Sequence, residues 1–452
     1  RSALQKRSPE IVQINLTSKP MALNFFERLQ MHASITIQRA TEISAFRELL
    51  LLLYTAAGFS TLIANQKYLA WKMLSQCHRS TRIDNFRRVL ELWLFKNLNV
   101  TYSPRQVNSP QSELTELFGW RLMVLKPKIS GAEKGVLLIK FSETLGKLIK
   151  HANIEELTRD YTLLVEPSWS GYCDADLMYF SQFKDPIFIE SPDQNDFDFL
   201  IRLNSNLTPI SVGSGDWVDP SIAEPFLSTP KKYDLVMNSH WGKWKRHYAL
   251  FQAIRGTSLK VALIGFSWGK RSATDIRKLA QYYDVESQIE IFEKISFDKV
   301  MEINAQSRFA VLLSLKEGAN RAIPEAMFAN TPAIVLNETV GGVQKNVSRE
   351  SGRICKQKDL KLVIQALTSD QPPFTPRKWA IANISHKTST DFVNSQLRAH
   401  AVNNKLPWTK DIAERKNSPE LAYSSEADKE ELAAANQGLL HYVKTSGAPA
   451  SL

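Results

Sequence analysis

Apolar positions along this chain change their period twice. Over the first hundred residues they recur at helical spacing. Segments 21–37, 41–74 and 83–98 carry helix-length apolar patterning with almost no Gly or Pro, so helices are predicted there. Residues 99–113, with Pro104, Pro110 and several Ser and Asn, read as a linker. From about Leu122 short β-branched or aliphatic runs alternate with polar helical stretches. Strands are predicted at 136–141, 161–165, 186–189 and 208–212, with a helix at 143–151. A second linker covers 225–232. The alternation then resumes, with strands at 233–237, 259–264, 288–292, 309–313 and 333–336. Helices are predicted at 245–254, 272–283, 297–306, 324–329 and 360–368. Residues beyond Pro376 are mostly polar and helical, and 445–452 read as a frayed end.

Continuous apolar strands separated by helices argue for parallel sheets covered on both faces. Two such series predict two doubly wound, Rossmann-like domains, at 121–228 and 229–395, preceded by a helical region at 1–120 and followed by a tail at 396–452. A length of 452 residues suits two or three cores. Ligands of such sheets bind outside the carboxyl ends of the strands.

Charge adds an asymmetry. The chain is +11 overall, yet residues 1–150 alone hold 22 Lys and Arg against 10 Asp and Glu, so the remainder is close to neutral. A basic segment of this kind suits an anionic membrane surface or an acidic acceptor. No nucleic-acid motif with its own mechanism accompanies it, so nucleic acid is not expected as a partner. The longest uncharged run, 49–66, falls short of a 20-residue apolar span. It reads first as a buried core helix and second as an interfacial membrane contact. Cys77, Cys173 and Cys355 are far apart and form no CxxC pair. No signal-peptide pattern opens the chain, and a reducing, cytoplasmic setting is expected, peripheral to a membrane if the basic segment docks there.

Candidate chemistry concentrates in Ser314-Leu-Lys-Glu317-Gly-Ala-Asn-Arg-Ala-Ile-Pro-Glu325. Glu317 follows a predicted strand, and Gly318 permits close backbone approach. Pro324 belongs near a first helical turn, which puts Glu325 at a helix entrance. Two carboxylates there suit sugar or ribose hydroxyls, although a solvated loop Glu plus a helix-start Glu would look alike. No other Glu pair in the chain has this spacing of eight. Upstream, His240-Trp-Gly-Lys-Trp-Lys245-Arg246 follows the first strand of the second domain, where cations are placed to neutralise a diphosphate. Gly265 closes the next strand. In the first domain, 166–172 and 213–219 end strands and read as acceptor loops or as ordinary turns. Asp174-Ala-Asp176 has the form of a metal-binding DxD triplet, but no matching domain surrounds it.

The 314–332 segment resembles the donor-sugar loop of glycosyltransferase family 4 (glycosyl transferases group 1). In that family a Lys begins the helix after the first strand of the second domain, with Leu five and Ala eight positions later. Lys245, Leu250 and Ala253 match. An Arg usually stands five residues before this Lys, and here that position is His240. The resemblance covers about 230–400 well and 130–225 by pattern only. It implies a GT-B architecture, with two Rossmann-like domains facing a cleft and a tail packed back on them. It implies transfer of a sugar from a nucleotide-sugar donor to a glycan, lipid-linked or other acceptor, with retention, no protein nucleophile, no metal and no cofactor. Glu317 and Lys245 become the catalytic candidates. Lys245, Arg246, His240, Gly265, Glu317, Gly318, Ala319, Asn320, Arg321 and Glu325 become the donor-binding candidates. A non-catalytic scaffold and a nucleotide-sugar epimerase of the same fold stay open beside it.

Overall fold

The computed structural model describes residues 23–42, 44–100, 121–167, 169–318, 320–370 and 373–443. Most of the linker predicted at 99–113, and the end predicted to fray, lie outside them. The chain divides into two compact units. One takes Arg1–Arg39, Val218–Lys316 and Asn320–Ser385, and the other takes Ala40–Trp217, Glu317–Ala319 and His386–Leu452.

Helices open the chain: α1 (Phe25–Glu42), α2 (Ser44–Ile63), α3 (Lys67–Ser80) and α4 (Asp84–Lys96). The helix predicted over 41–74 is therefore interrupted. Asn65 takes φ 58°, a left-handed turn that Asn tolerates, and α3 starts afresh after it. A larger correction concerns burial. The leucine run was expected inside the core. In α2 only a stripe of Glu48, Leu51, Thr55 and Gly58 turns inward, and most of the remaining surface is exposed. Apolar content predicted the helix but not which surface covers it.

The unit that begins at Ala40 continues with β1 (Leu122–Lys126), β2 (Gly135–Lys140), α5 (Ser142–His151), α6 (Ile154–Asp160), β3 (Tyr161–Glu166), α7 (Ala175–Tyr179), β4 (Ile187–Glu190), α8 (Gln194–Leu203) and β5 (Leu207–Ile210). These strands form a sheet in the order β1-β2-β3-β4-β5, antiparallel at β1 and parallel elsewhere. Successive side chains on one strand enter opposite layers, as a two-residue period requires. Leu137 and Ile139 join the layer of Trp71, Leu90 and Leu94, while Val136 and Leu138 join that of Trp217, Val393 and Leu397.

The other unit holds β6 (Tyr233–Asn238), α9 (His247–Ile254), β7 (Val261–Gly265), α10 (Ala273–Tyr282), β8 (Ile289–Glu293), α11 (Phe297–Ala305), β9 (Ser307–Leu312), α12 (Ala322–Phe328), β10 (Ala333–Leu336), β11 (Gly352–Cys355), α13 (Leu360–Ser369) and α14 (Pro376–Ile384). All six strands run parallel, in the order β11-β10-β9-β6-β7-β8. The order reverses between β9 and β6, which is where such sheets open a ligand crevice. The tail, α15 (His386–Asn403), β12 (Arg415–Asn417), β13 (Leu421–Tyr423), α16 (Glu426–Glu431) and α17 (Ala433–Gly438), belongs with the β1–β5 sheet. Val393, Leu397 and Ile412 enter one of that sheet's layers, and Leu432, Leu439 and Tyr442 the other.

Helix α1 has a separate allegiance. Over residues 25–39 it packs with the β6–β11 unit, where Ile35 is buried in the layer that holds Leu250 and Leu263. His32 shares a hydrogen bond of 2.8 Å with Tyr282, and Glu27 pairs with Lys278 at 2.8 Å.

Candidate functional site

The switch point in the β6–β11 unit is built by two loops. After β6, residues 243–245 make a 3-10 turn, and Arg246 at φ 61° swings the chain into α9, which begins at His247. Lys245 was expected to open that helix and instead lies in the turn just before it, buried. Arg246 is 1% exposed. Its Nη1 donates to the carbonyl of Leu313, just past β9, at 2.8 Å, and its Nη2 donates to the Tyr248 hydroxyl at 3.1 Å. This guanidinium ties the β6 loop to the end of β9 across the crevice floor.

His240 is half-buried among aromatic rings. It stacks on Trp268 at 4.6 Å between centroids and meets Trp244 edge-on at 4.7 Å. Its Nδ1 accepts from the Gly242 amide at 3.0 Å. Trp241 donates through Nε1 to Glu293 at the end of β8, at 3.0 Å. Gly265 sits where β7 meets this loop. A Cβ there would lie 2.3 Å from the Ser239 carbonyl oxygen, so only glycine lets the two strand ends approach. Close packing thus accounts for Gly265 in its own right.

His247 was missed by sequence reasoning. Its ring is fully buried, with Nε2 3.3 Å from Ser239 Oγ. Burial, aided by the positive charges of Arg271 and Lys245, pushes its pKa down to about 3, so the imidazole is neutral at ordinary pH. Nor did the sequence show that α1 reaches this loop. Gln38 Nε2 donates to the Lys243 carbonyl at 2.9 Å, and Lys243 Nζ donates to Ser34 Oγ at 3.1 Å. These partners lie far apart in the chain, and no spacing rule links them.

After β9, Glu325 is buried in α12, whose first turn is braced by Asn320 Oδ1 accepting from the Ile323 amide at 3.0 Å. Arg321 is half-buried beside it. Glu317 and Gly318 cluster with the other unit, where the Glu317 carbonyl accepts from Ser170 Oγ at 2.7 Å. The Glu317 side chain is buried. Ala319 lies outside the described residues. The structure therefore groups Lys245, Arg246, His240, Gly265, Asn320, Arg321 and Glu325 in one unit.

The β1–β5 sheet carries an ionic cluster at the carboxyl ends of its parallel strands. Lys140 ends β2, Glu166 ends β3 and Glu190 ends β4. Arg415 from the tail is fully buried between the two carboxylates. It donates to Glu166 at 2.8 Å and to Glu190, and lies 3.8 Å over the Trp217 ring. Lys140 stands 3.7 Å from Glu166. Burial pushes the Glu190 carboxyl up to about 8, against the opposing pull of Arg415. Both loops expected to receive an acceptor are held here. Asp196 accepts from the Gly171 and Tyr172 amides, and Asp216 from the Gly213 amide. Asp174 caps α7 and pairs with Arg79 at 2.8 Å, a structural role for the DxD-like triplet. At the other end of the strands a cavity of 590 Å³ lies beside Lys126, Lys128 and Lys134. Each of these lysines meets a carboxylate.

Residues 220–382 match the family model of glycosyl transferases group 1. No curated protein matches. Among solved structures, similarity extends to a sucrose-phosphate synthase from Thermosynechococcus elongatus, at 18% identity and TM-score 0.45, over 58% of this chain and 73% of that one. It extends also to Anabaena HepE in complex with UDP and glucose, at 12% identity and TM-score 0.45, over 60% and 78%. A glycosyltransferase from Rickettsia africae is 14% identical with TM-score 0.41, over 58% and 82%.

Proposed function

We infer, from the glycosyl transferases group 1 region at residues 220–382, that this chain moves a sugar from a nucleotide-sugar donor to a carbohydrate or lipid-linked acceptor. The observation that carries this reading is the pairing of that region with a buried carboxylate, Glu325 in α12, and a buried Lys245 in the turn after β6, on the elements that follow the two strands meeting at the β9/β6 switch point. A carboxylate and an ammonium held at such a crevice suit a ligand that is both hydroxylated and anionic.

In this reading Lys245 neutralises the diphosphate as negative charge develops on the leaving group, the electrostatic contribution that such transfers depend on most. Arg246 fixes the loop that carries Lys245 by its bond to the Leu313 carbonyl, and so acts through position. Glu325 accepts hydrogen bonds from the ribose hydroxyls, and Glu317 from those of the donor sugar. Asn320 and Arg321 line the donor beside Glu325. The reaction retains the anomeric configuration and uses no metal. It belongs in a reducing, cytoplasmic setting, which three buried free thiols favour.

Incubation with a panel of UDP-, GDP- and ADP-sugars plus crude glycan or lipid acceptors should release nucleoside diphosphate. Glu325→Gln should weaken nucleoside diphosphate binding about ten-fold or more in calorimetry, the size of a lost charge-assisted hydrogen bond. Unchanged affinity would remove Glu325 from the site.

One observation favours a second reading, a non-catalytic scaffold. A permanent cation is missing at His240, whose Nδ1 is used as an acceptor. Donor binding without turnover against any acceptor would select it.

A further inference from the structure

Helix α2 is docked along one side only. Its inward stripe is tied to α3 and to the turn between α3 and α4. Glu48 accepts from the Thr81 hydroxyl at 2.6 Å and the Arg82 amide at 2.9 Å, and a Cβ on Gly58 would lie 3.0 Å from the Leu74 side chain. The opposite face carries Phe46, Leu49, Leu50 and Leu53 at positions i, i+3, i+4 and i+7, a continuous apolar strip. Leu49 is 54% exposed, Leu53 63% and Ile63 89%. Over Ala45–Ile63 the mean hydropathy is 1.4, and 17% of the segment is buried. An apolar strip of this length on the surface of a soluble domain marks an interaction site.

We propose that this face of α2 lies in the interfacial layer of an anionic lipid bilayer. Charge selects the occupant. Residues 40–100 hold eight Lys and Arg against four Asp and Glu. Exposed Lys67 and Lys72 follow the apolar strip, and one side of α4 exposes Arg88, Val89, Leu92 and Lys96, with Asp84 exposed at the helix start. A second copy of the chain meeting this face by two-fold symmetry would set those cations against their own equivalents. Anionic headgroups neutralise them while the leucines enter the acyl boundary.

The helix lies along the surface and does not cross. Its length and composition suffice for a span, but spanning would pull Glu48 out of its bonds with Thr81 and Arg82 and strip the contacts of Gly58 with α3. Docking leaves all of these in place. The proposal is independent of sugar transfer and holds whether or not the chain is an enzyme.

The full chain should float with phosphatidylglycerol-containing vesicles and far less with vesicles of phosphatidylcholine alone. Leu49→Asp/Leu53→Asp should lower the bound fraction about ten-fold, with circular dichroism and melting temperature unchanged, because both side chains already face solvent. Ile63→Asp is the independent check. Arg88→Gln/Lys96→Gln should erase the preference for phosphatidylglycerol. Equal flotation of wild type and the leucine variant, or no flotation of either, overturns the proposal. So does a vesicle-free dimer in sedimentation that the leucine variant abolishes, since the strip would then be a protein interface.

Discussion

The amide of Gly242 donates to Nδ1 of His240, and that bond decides what the imidazole can offer. A ring nitrogen that accepts carries no proton, so in this geometry only Nε2 is left to donate. At the position where the resemblance led one to expect a guanidinium, this chain presents an imidazole stacked on Trp268. Its neighbour His247 is held neutral by burial, with a folded pKa of about 3 against 6.5 for a free imidazole. Between those values the unfolded chain binds more protons than the folded one. The contribution of His247 is therefore fully present above pH 6.5 and is lost as pH falls toward 3. The urea midpoint of wild type should drop on going from pH 7 to pH 5 by more than that of His247→Gln. Parallel declines would show that the buried ring is not what senses acid. Glu317 and Glu325, the pair most visible in the sequence, are both buried and fall in different units. Spacing alone did not distinguish that from two solvated carboxylates.

Secondary structure was legible where one pattern admitted one answer. Every strand of the β6–β11 sheet but the last was predicted: β6, β7, β9 and β10 are largely buried and read as apolar runs, and the edge strand β8 alternates as Ile-Glu-Ile-Phe-Glu. Strand β11, Gly-Arg-Ile-Cys, lies at the sheet edge and has no such run, and β1 pairs antiparallel at the other sheet's edge. Helix α7 has five residues, too few for a period to emerge. Helix α1 was predicted, but its destination was not, since the bonds that seat it are single polar contacts with residues far along the chain. Those contacts have a consequence for the site. Gln38 and Ser34 grip the turn that carries Lys245, so α1 acts as a brace on the proposed diphosphate loop. Gln38→Ala/Ser34→Ala should weaken nucleoside diphosphate binding by about three- to ten-fold, matching one or two lost hydrogen bonds of about 1 kcal/mol each, measured by calorimetry. Melting should barely change, because Ile35 still anchors the helix. Unchanged affinity would mean the turn holds its shape unaided.

At the scale of the whole molecule, neither unit is a continuous piece of chain. The backbone passes from one to the other after Arg39, after Trp217, around residues 317–319 and after Ser385. Cutting the chain after Ser385 removes Arg415 from between Glu166 and Glu190, and takes Val393, Leu397 and Ile412 from one layer of the β1–β5 sheet. Glu190 would lose its cation and Glu166 would keep only Lys140 beside it, a loss on the order of 3–5 kcal/mol before the apolar loss is counted. The shortened chain should accumulate as aggregate, read as the soluble fraction after expression. A soluble, cooperatively melting product would show that the tail is dispensable. The same cluster also sets a schedule. Glu166 and Arg415 are 249 residues apart, so at ribosomal speeds of roughly 5–20 residues per second the carboxylates are synthesised some tens of seconds before their partner. For that interval the β1–β5 sheet waits in the cell with its charged edge open, while most of the β6–β11 sheet can already close. The half of the protein made first is the half that must be finished last, and that half is the one that would rely on chaperones during synthesis.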